Sequence, residues 1–508
     1  MPKILLINPP FNISKDNYDS SISVGLLCLA SYINNKDCSV KIIDGARQKN
    51  YPEILEKEIP NSDIIGFSVM TTQTANGLAA AEKIRKLNSK AVIIFGGLHP
   101  TLFPESTAKH RLVDIVVTGE GEETLFEIIQ NYKETVHKIF GSANNLGFVE
   151  FLNNLNNIRG IAFQDAKGKI IQTEKRPLLK MSDLSLPNWD LEPKEILEKI
   201  DIIPTHTSRG CPYRCAFCVN AITKNLWRAR PAEQVLEDIR IIKTKDYFKS
   251  KPLRFWDENF FVDKKRAEEI IDAMIGQHLI IPWETTVRAD CVNDNMLNDE
   301  FLKKLKTSGC YLLSFGAESG SDRILKKIEK GVTREQILNS AKQCLKYDII
   351  PQYSFMTGLP GETIKDIKLT LSLIDELIKL SHKVQILGPQ TFRPYPGGTL
   401  YEECVNSGWQ SPENLDGWAK VVKDELNFLS PQKFPWLSDP DLIESLEAFV
   451  RFGAHPISSA LNSTVKASKF LKLPFILLCK LRWKLKFFKW PFEYKLAKKF
   501  ISRSKVYN

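Results

Sequence analysis

A chain of 508 residues, 43% hydrophobic and 26% charged, is too long for one hydrophobic core and has the composition of a globular protein with roughly two to four domains. The formal net charge of +10 is uneven: residues 466–508 carry thirteen Lys or Arg against the single acid Glu493, which leaves the remaining chain near −2, so the basicity belongs to the tail. Ten cysteines, seven of them scattered singly (Cys28, Cys38, Cys291, Cys310, Cys344, Cys404, Cys479), exclude the dense framework of a secreted disulfide domain, and the scattered ones read as small buried hydrophobes.

The opening MPKILLINPP has too short an apolar run for a signal peptide and reads as a first β-strand. From residue 3 to about 132, strand-like runs (KILLIN, SVKII, DIIGFSV, AVIIF, DIVVT) alternate with helical patterns near Val24–Ile33, Pro52 and Thr74–Leu87. This alternation predicts a doubly wound parallel sheet over residues 1–140. Such sheets bind ligands at the carboxyl ends of their strands, where strand order reverses. The loops at stake are Asn8–Pro10, Asp44-Gly45, Ser68–Thr72, Gly96–Thr101 and Gly119–Glu122. Residues 141–200 read as a connector, with a hairpin at IAFQDAKGKIIQT and an extended LPNWDLEP stretch.

A second alternating series starts at IIPTHTS and continues through LRFWD, WETTV, LLSFGAE, IPQYSFM and VQILGPQ. Six strand-helix units over 201–401 predict a partial parallel barrel with its active site at the strands' carboxyl ends. Residues 402–508 read as mostly helical. They end in a tail where Trp483, Phe487, Phe488, Trp490 and Phe492 alternate with lysines, either a cationic helix packed on the body or a contact with a membrane surface or a greasy substrate source. No apolar run reaches the length of a bilayer span, since Leu473–Leu481 is broken by Pro474 and Lys480. The expected location is the cytoplasm, with peripheral membrane association through the tail. A nucleic-acid partner is disfavoured by the lack of a base-reading fold.

Thr207-Ser208-Arg209-Gly210-Cys211-Pro212-Tyr213-Arg214-Cys215-Ala216-Phe217-Cys218 places three cysteines within eight residues, just past the barrel's first strand. Three thiolates can grip three irons of a cubane, whereas a structural zinc site wants a fourth ligand, for which His206 is the nearest candidate. CxxxCxxC in this setting resembles the radical S-adenosylmethionine superfamily. The resemblance implies a [4Fe-4S] cluster held by Cys211, Cys215 and Cys218, whose open iron binds S-adenosylmethionine for cleavage to a 5′-deoxyadenosyl radical. Further matches run to residue 401: FWDENFF (255–261), VRAD (287–290), GAESGS (316–321), MTGLPGET (356–363) and RPYPGGTLY (393–401). They suggest cofactor contacts from Asp257, Glu258, Arg288, Glu318 and Ser319. Arg288 suits a carboxylate, Glu318 suits ribose hydroxyls, and Gly358, Gly361 and Gly397 allow close backbone approach.

Together with NPP, GLLCLASYI and the barrel, the loops GGLHPT (96–101) and GEGE (119–122) resemble the cobalamin-binding domain of the cobalamin-dependent members of that superfamily. The resemblance implies cobalamin contacts from Ser68, Thr71, Thr72, Gly96, Gly97, His99, Gly119 and Glu120. No Asp-x-His-x-x-Gly motif is present, so cobalt is expected to lack a histidine ligand; a domain that has lost cobalamin is the alternative. The implied activity is methyl transfer to an unactivated carbon of a small or lipid-like substrate, with a one-electron reductant such as flavodoxin or ferredoxin as partner. A radical oxidative cyclase or rearrangement enzyme, and a non-catalytic cobalamin or iron-sulfur sensor, are the competing readings. No residue is singled out as catalytic acid or base.

Overall fold

A computed structural model describes residues 1–11, 22–34, 36, 38–137, 146–220, 226–396, 398–424, 431–455 and 469–497; Gly397 lies outside them. The chain forms two compact units, and both are discontinuous in sequence. The first comprises Met1–His206, Arg228–Lys251 and Ser411–Phe428; the second comprises Thr207–Trp227, Pro252–Gln410 and Leu429–Asn508.

In the first unit, β1 (Lys3–Asn8), β2 (Ser39–Asp44), β3 (Ile64–Ser68), β4 (Val92–Gly96), β5 (Ile115–Val117), β6 (Ile161–Gln164) and β7 (Ile170–Gln172) form one sheet in the order β2-β1-β3-β4-β5-β6-β7. The first five are parallel, joined by helical crossovers, as the alternation of apolar runs and helical patterns requires. Strand order reverses between β1 and β3, which makes the NPP turn and the Ser68–Thr72 loop neighbours at the switch point. The expected hairpin is present as β6 and β7. It extends the sheet antiparallel from β5 and so is part of this unit rather than a loose connector.

Alternate residues of the strands (Leu5, Ile7, Ile65, Phe67, Ile93, Phe95) build one buried face with Leu55, Ile59, Ala81 and Ile84. Leu415 joins that same cluster from the helix Leu415–Asp424. After β4 the chain makes only the five-residue helices Leu98–Leu102 and Pro104–Ala108, and this distant helix covers apolar surface that they leave.

All six strands expected of the barrel region are formed. The first, β8 (Ile203–Thr205), ends just before the cysteine loop. The other five, β9 (Leu253–Phe255), β10 (Trp283–Val287), β11 (Cys310–Glu318), β12 (Ile350–Thr357) and β13 (Gln385–Thr391), run parallel and in sequence order across the second unit. Helices such as Lys264–Gly276, Arg334–Lys346 and Ile364–Leu380 connect them. The last two start at Thr333 and Thr363, each closing a capping box with the third residue of its helix.

Candidate active site

In the second unit the candidate residues lie where parallel strands end: Asp257 after β9, Arg288 after β10, Glu318 at the tip of β11 and Gly358 after β12. The cysteine loop is held from several sides. Gly210 has φ +82°, and a side chain there would drive a carbon to 1.9 Å from the Leu226 carbonyl oxygen, so only glycine fits. The Ala216 amide donates to the Ile328 carbonyl at 2.9 Å, and the Ala216 carbonyl accepts from the Leu400 amide at 3.2 Å. Gly398 of the sixth-strand motif permits that approach, since a side chain there would meet the Ala216 oxygen at 2.1 Å.

Asp257 fixes the loop's entry. Its buried carboxylate accepts from the amides of Thr207 (2.7 Å) and Ser208 (3.1 Å) and from both hydroxyls (2.5 and 2.7 Å). Arg266 donates to the Thr207 carbonyl at 2.9 Å. The acidic motif after the second strand therefore acts on the loop itself, and Glu258 likewise reaches the Gly210 amide.

Cys211, Cys215 and Cys218 are half-buried free thiols. Burial pushes the Cys211 and Cys218 thiols up, and each feels the neighbouring sulfurs, with Arg288 opposing at Cys211 and Lys330 at Cys218. Among the described residues no three Cys, His or carboxylate side chains converge on a single ion. A cubane makes no such demand, because each thiolate takes its own iron. The donor set of three clustered sulfurs beside two cations fits such a cluster.

Arg288 lies 3.7 Å from the Tyr213 ring centroid and makes a bidentate pair with Asp290, both contacts at 3.0 Å. Glu318 follows a β-bulge in β11, has φ +62°, and pairs with Lys330 at 2.8 Å in a buried setting. The bulge turns this side chain out of the strand's alternation. Lys330 in turn stands 5.7 Å from the Phe217 ring inside the cysteine loop. Sequence alone does not single out Tyr213 or Lys330; Tyr213 lies within the cysteine motif, whereas Lys330 has no local signature. Ser319 is committed elsewhere, its hydroxyl at 3.1 Å from that of Thr370.

Gly358 (φ +82°) and Gly361 (φ +70°) turn the chain after β12. The Gly358 amide donates to Glu362 at 2.6 Å and its carbonyl accepts from the Trp436 indole at 2.9 Å. Gly358, Glu362, Trp436, Leu442 and Ile443 border a cavity of about 270 Å³. Burial pushes the Glu362 carboxyl up to about 7.

In the first unit the switch point carries a polar network that sequence reading had not assembled. Gln73 donates to the Asn8 side chain and the Pro9 carbonyl, both at 2.7 Å, and Asn8 donates to Asp44 at 3.0 Å. Gly97 (φ +94°) lets its loop pass over the Ser68–Thr72 loop, where a side chain would meet the Val69 amide nitrogen at 2.8 Å. Gly119 (φ +76°) faces open space, with no atom within 4 Å of where a side chain would start. Exposed Met70 and Gly119 and half-buried Thr72 and Gly96 form an accessible rim at the carboxyl ends of β3, β4 and β5.

Three other candidates are engaged with protein. Thr71 meets His99 Nδ1 at 3.2 Å. The His99 ring is fully buried between Phe103 and Trp418, at centroid distances of 5.0 and 5.6 Å, with no hydrogen-bond partner for Nε2 among the described residues. Burial lowers its pKa to about 3, so the ring is neutral. Glu120 pairs with Arg228 at 2.6 Å.

Two family models match the chain: the B12 binding domain over residues 18–129 and the Radical SAM superfamily over residues 205–374. An uncharacterised methyltransferase of Pyrococcus horikoshii is 30% identical over 417 residues, which is 79% of this chain and 83% of that protein. The anaerobic magnesium-protoporphyrin IX monomethyl ester cyclase of Rubrivivax gelatinosus is 23% identical over 67% of this chain and 58% of its own length. Among solved structures, the radical S-adenosylmethionine methyltransferase TsrM of Kitasatospora setae, with tryptophan substrate and an S-adenosylmethionine analogue bound, superimposes with a TM-score of 0.65 at 14% identity, covering all of both chains.

Proposed function

This chain belongs to the radical SAM superfamily and carries a B12 binding domain, and on that premise we propose that it transfers a methyl group to an unactivated carbon of a small or lipid-like substrate. The observation that supports methyl transfer is the likeness to a named methyltransferase across 79% of the chain. The bound cofactors, an iron-sulfur cluster, S-adenosylmethionine and cobalamin, supply one-electron cleavage and carriage of the methyl group. In this reading Cys211, Cys215 and Cys218 hold the cluster, and Asp257 with Gly210 positions their loop. Arg288 meets the methionine carboxylate and Glu318 the ribose, with Gly358 and Gly361 as the close backbone. The rim around Thr72, Gly96 and Gly119 takes the corrin. Because His99 is fully buried against Phe103 and Trp418, cobalt held at this rim would lack a histidine ligand. The protein's own share is orientation and exclusion of water. A one-electron reductant of flavodoxin or ferredoxin type completes the reaction.

A second reading, ring closure without methyl transfer, has the cyclase likeness behind it. Anaerobic reconstitution with iron and sulfide, followed by reduction with S-adenosylmethionine labelled in its methyl group, separates the two. The expected result is 5′-deoxyadenosine together with labelled product from polar or lipid extracts, both lost in Cys211→Ala. Product without label sinks methyl transfer, and 5′-deoxyadenosine formed equally by Cys211→Ala sinks the cysteine assignment.

A further inference from the structure

The helix Lys469–Leu485 has apolar residues on two faces. Its inner face, Ile476, Cys479 and Trp483, is buried in the second unit, with Trp483 donating to Asp375 at 3.1 Å and Gly453 admitting the Cys479 carbonyl. A helix resting on a protein body ordinarily turns polar residues outward. Here the outer face presents Leu473, Leu477, Leu481 and Leu485, spaced four apart and 41%, 49%, 52% and 64% exposed, with Leu478 beside them.

The turn that follows continues this surface with exposed Phe487, Trp490 and Phe492 and then Leu496; Trp490 is 75% exposed. It is a built turn. Buried Arg482 donates to the carbonyls of Phe487 (3.2 Å), Lys489 (2.7 Å) and Trp490 (2.8 Å) and pairs twice with buried Glu493. Lys486 and Trp490 both take positive φ, at +50° and +51°. This one acid of the tail is spent inside the turn, and of the lysines around it Lys486 pairs with Asp375 at 3.2 Å and Lys495 with Asp441. Lys484 and Lys489 flank the apolar stripe with no ion pair among the described residues.

We propose that this face docks on the surface of an anionic lipid bilayer, with the leucine stripe and Trp490 in the headgroup-acyl boundary and the lysines on the lipid phosphates. A second copy of this face would bring like charges together. Neutral apolar contact alone would leave the lysines without partners, whereas an anionic interface satisfies both halves of the surface. No helix among the described residues is long and apolar enough to cross a membrane, so the helix lies on the bilayer. The inference stands whichever carbon the enzyme attacks.

Sedimentation of the full-length holoenzyme with phosphatidylcholine vesicles, with and without phosphatidylglycerol, tests it. Binding is expected only with the anionic lipid and should fall with added salt. Lys484→Glu with Lys489→Glu should weaken it by at least roughly fivefold per lysine, and Leu481→Glu or Trp490→Ala should abolish or sharply reduce it. All four side chains are exposed, so thermal midpoints and 5′-deoxyadenosine formation should stay at the wild-type level. Equal sedimentation of wild type and variants, no binding to either vesicle, or release from vesicles by RNA at equal charge overturns the proposal.

Discussion

Glu192 follows the turn Trp189–Leu191, its carboxyl buried near Asp44 and Arg47 at the carboxyl end of β2. Burial, and secondarily the charge of Asp44, push its pKa up to about 8, with Arg47 opposing. An unfolded glutamate titrates near 4.3, at about its ordinary value. Between those two values the folded chain keeps a proton that the unfolded chain has released, so this group's contribution makes stability fall as pH rises through the window and level off above it. Glu192→Gln carries no such proton. Its thermal midpoint should decline less steeply than wild type from about pH 5 to pH 8 and lie above it at the upper end; parallel slopes would assign the pH dependence to other groups. Residues of this kind are invisible in sequence, because Asp44 and Glu192 are 148 positions apart. Cys211, Cys215 and Cys218 were readable because their chemistry lies in local spacing. Lys330 was not, because its role depends on a bulge and a positive φ at Glu318.

The helix Leu415–Asp424 shows where pattern reading stops. Its apolar face marks it as packed against something, and periodicity gives no hint that the partner is the amino-terminal sheet. Trp418 is 2% exposed and lies against Phe103 and His99. Trp418→Ala should therefore destabilise the first unit by about 3–5 kcal/mol, read as a lower denaturant midpoint for that unit's transition. An unchanged midpoint would mean that the helix merely rests on the sheet. The strands themselves were legible because each is a short β-rich run between helical patterns. The attachment of the β6–β7 hairpin to β5 was not, since strand pairing across 44 residues of chain, from Val117 to Ile161, leaves no local trace.

Binding of cobalamin should act on the stability of the protein by mass action. Hydroxocobalamin at about a hundred times its dissociation constant adds ~2.7 kcal/mol if it binds only the folded chain. Gly119→Val tests where it binds. The Cβ it adds has no atom beyond the adjoining residues within 4 Å, so the ligand-free protein should lose little beyond the roughly 1–2 kcal/mol of the positive φ. The gain from cobalamin should nevertheless disappear, because the side chain fills the open rim. An undiminished gain in the variant would move the corrin away from Gly119.

The first unit takes its last segment from Ser411–Phe428, more than 200 residues beyond His206. At the pace of translation, on the order of 5–20 residues per second, the ribosome leaves the apolar face beside β4 and the His99 ring uncovered for tens of seconds. During synthesis the amino-terminal sheet is thus an incomplete body with a greasy opening, and it closes only after the cysteine loop and the barrel strands have already emerged.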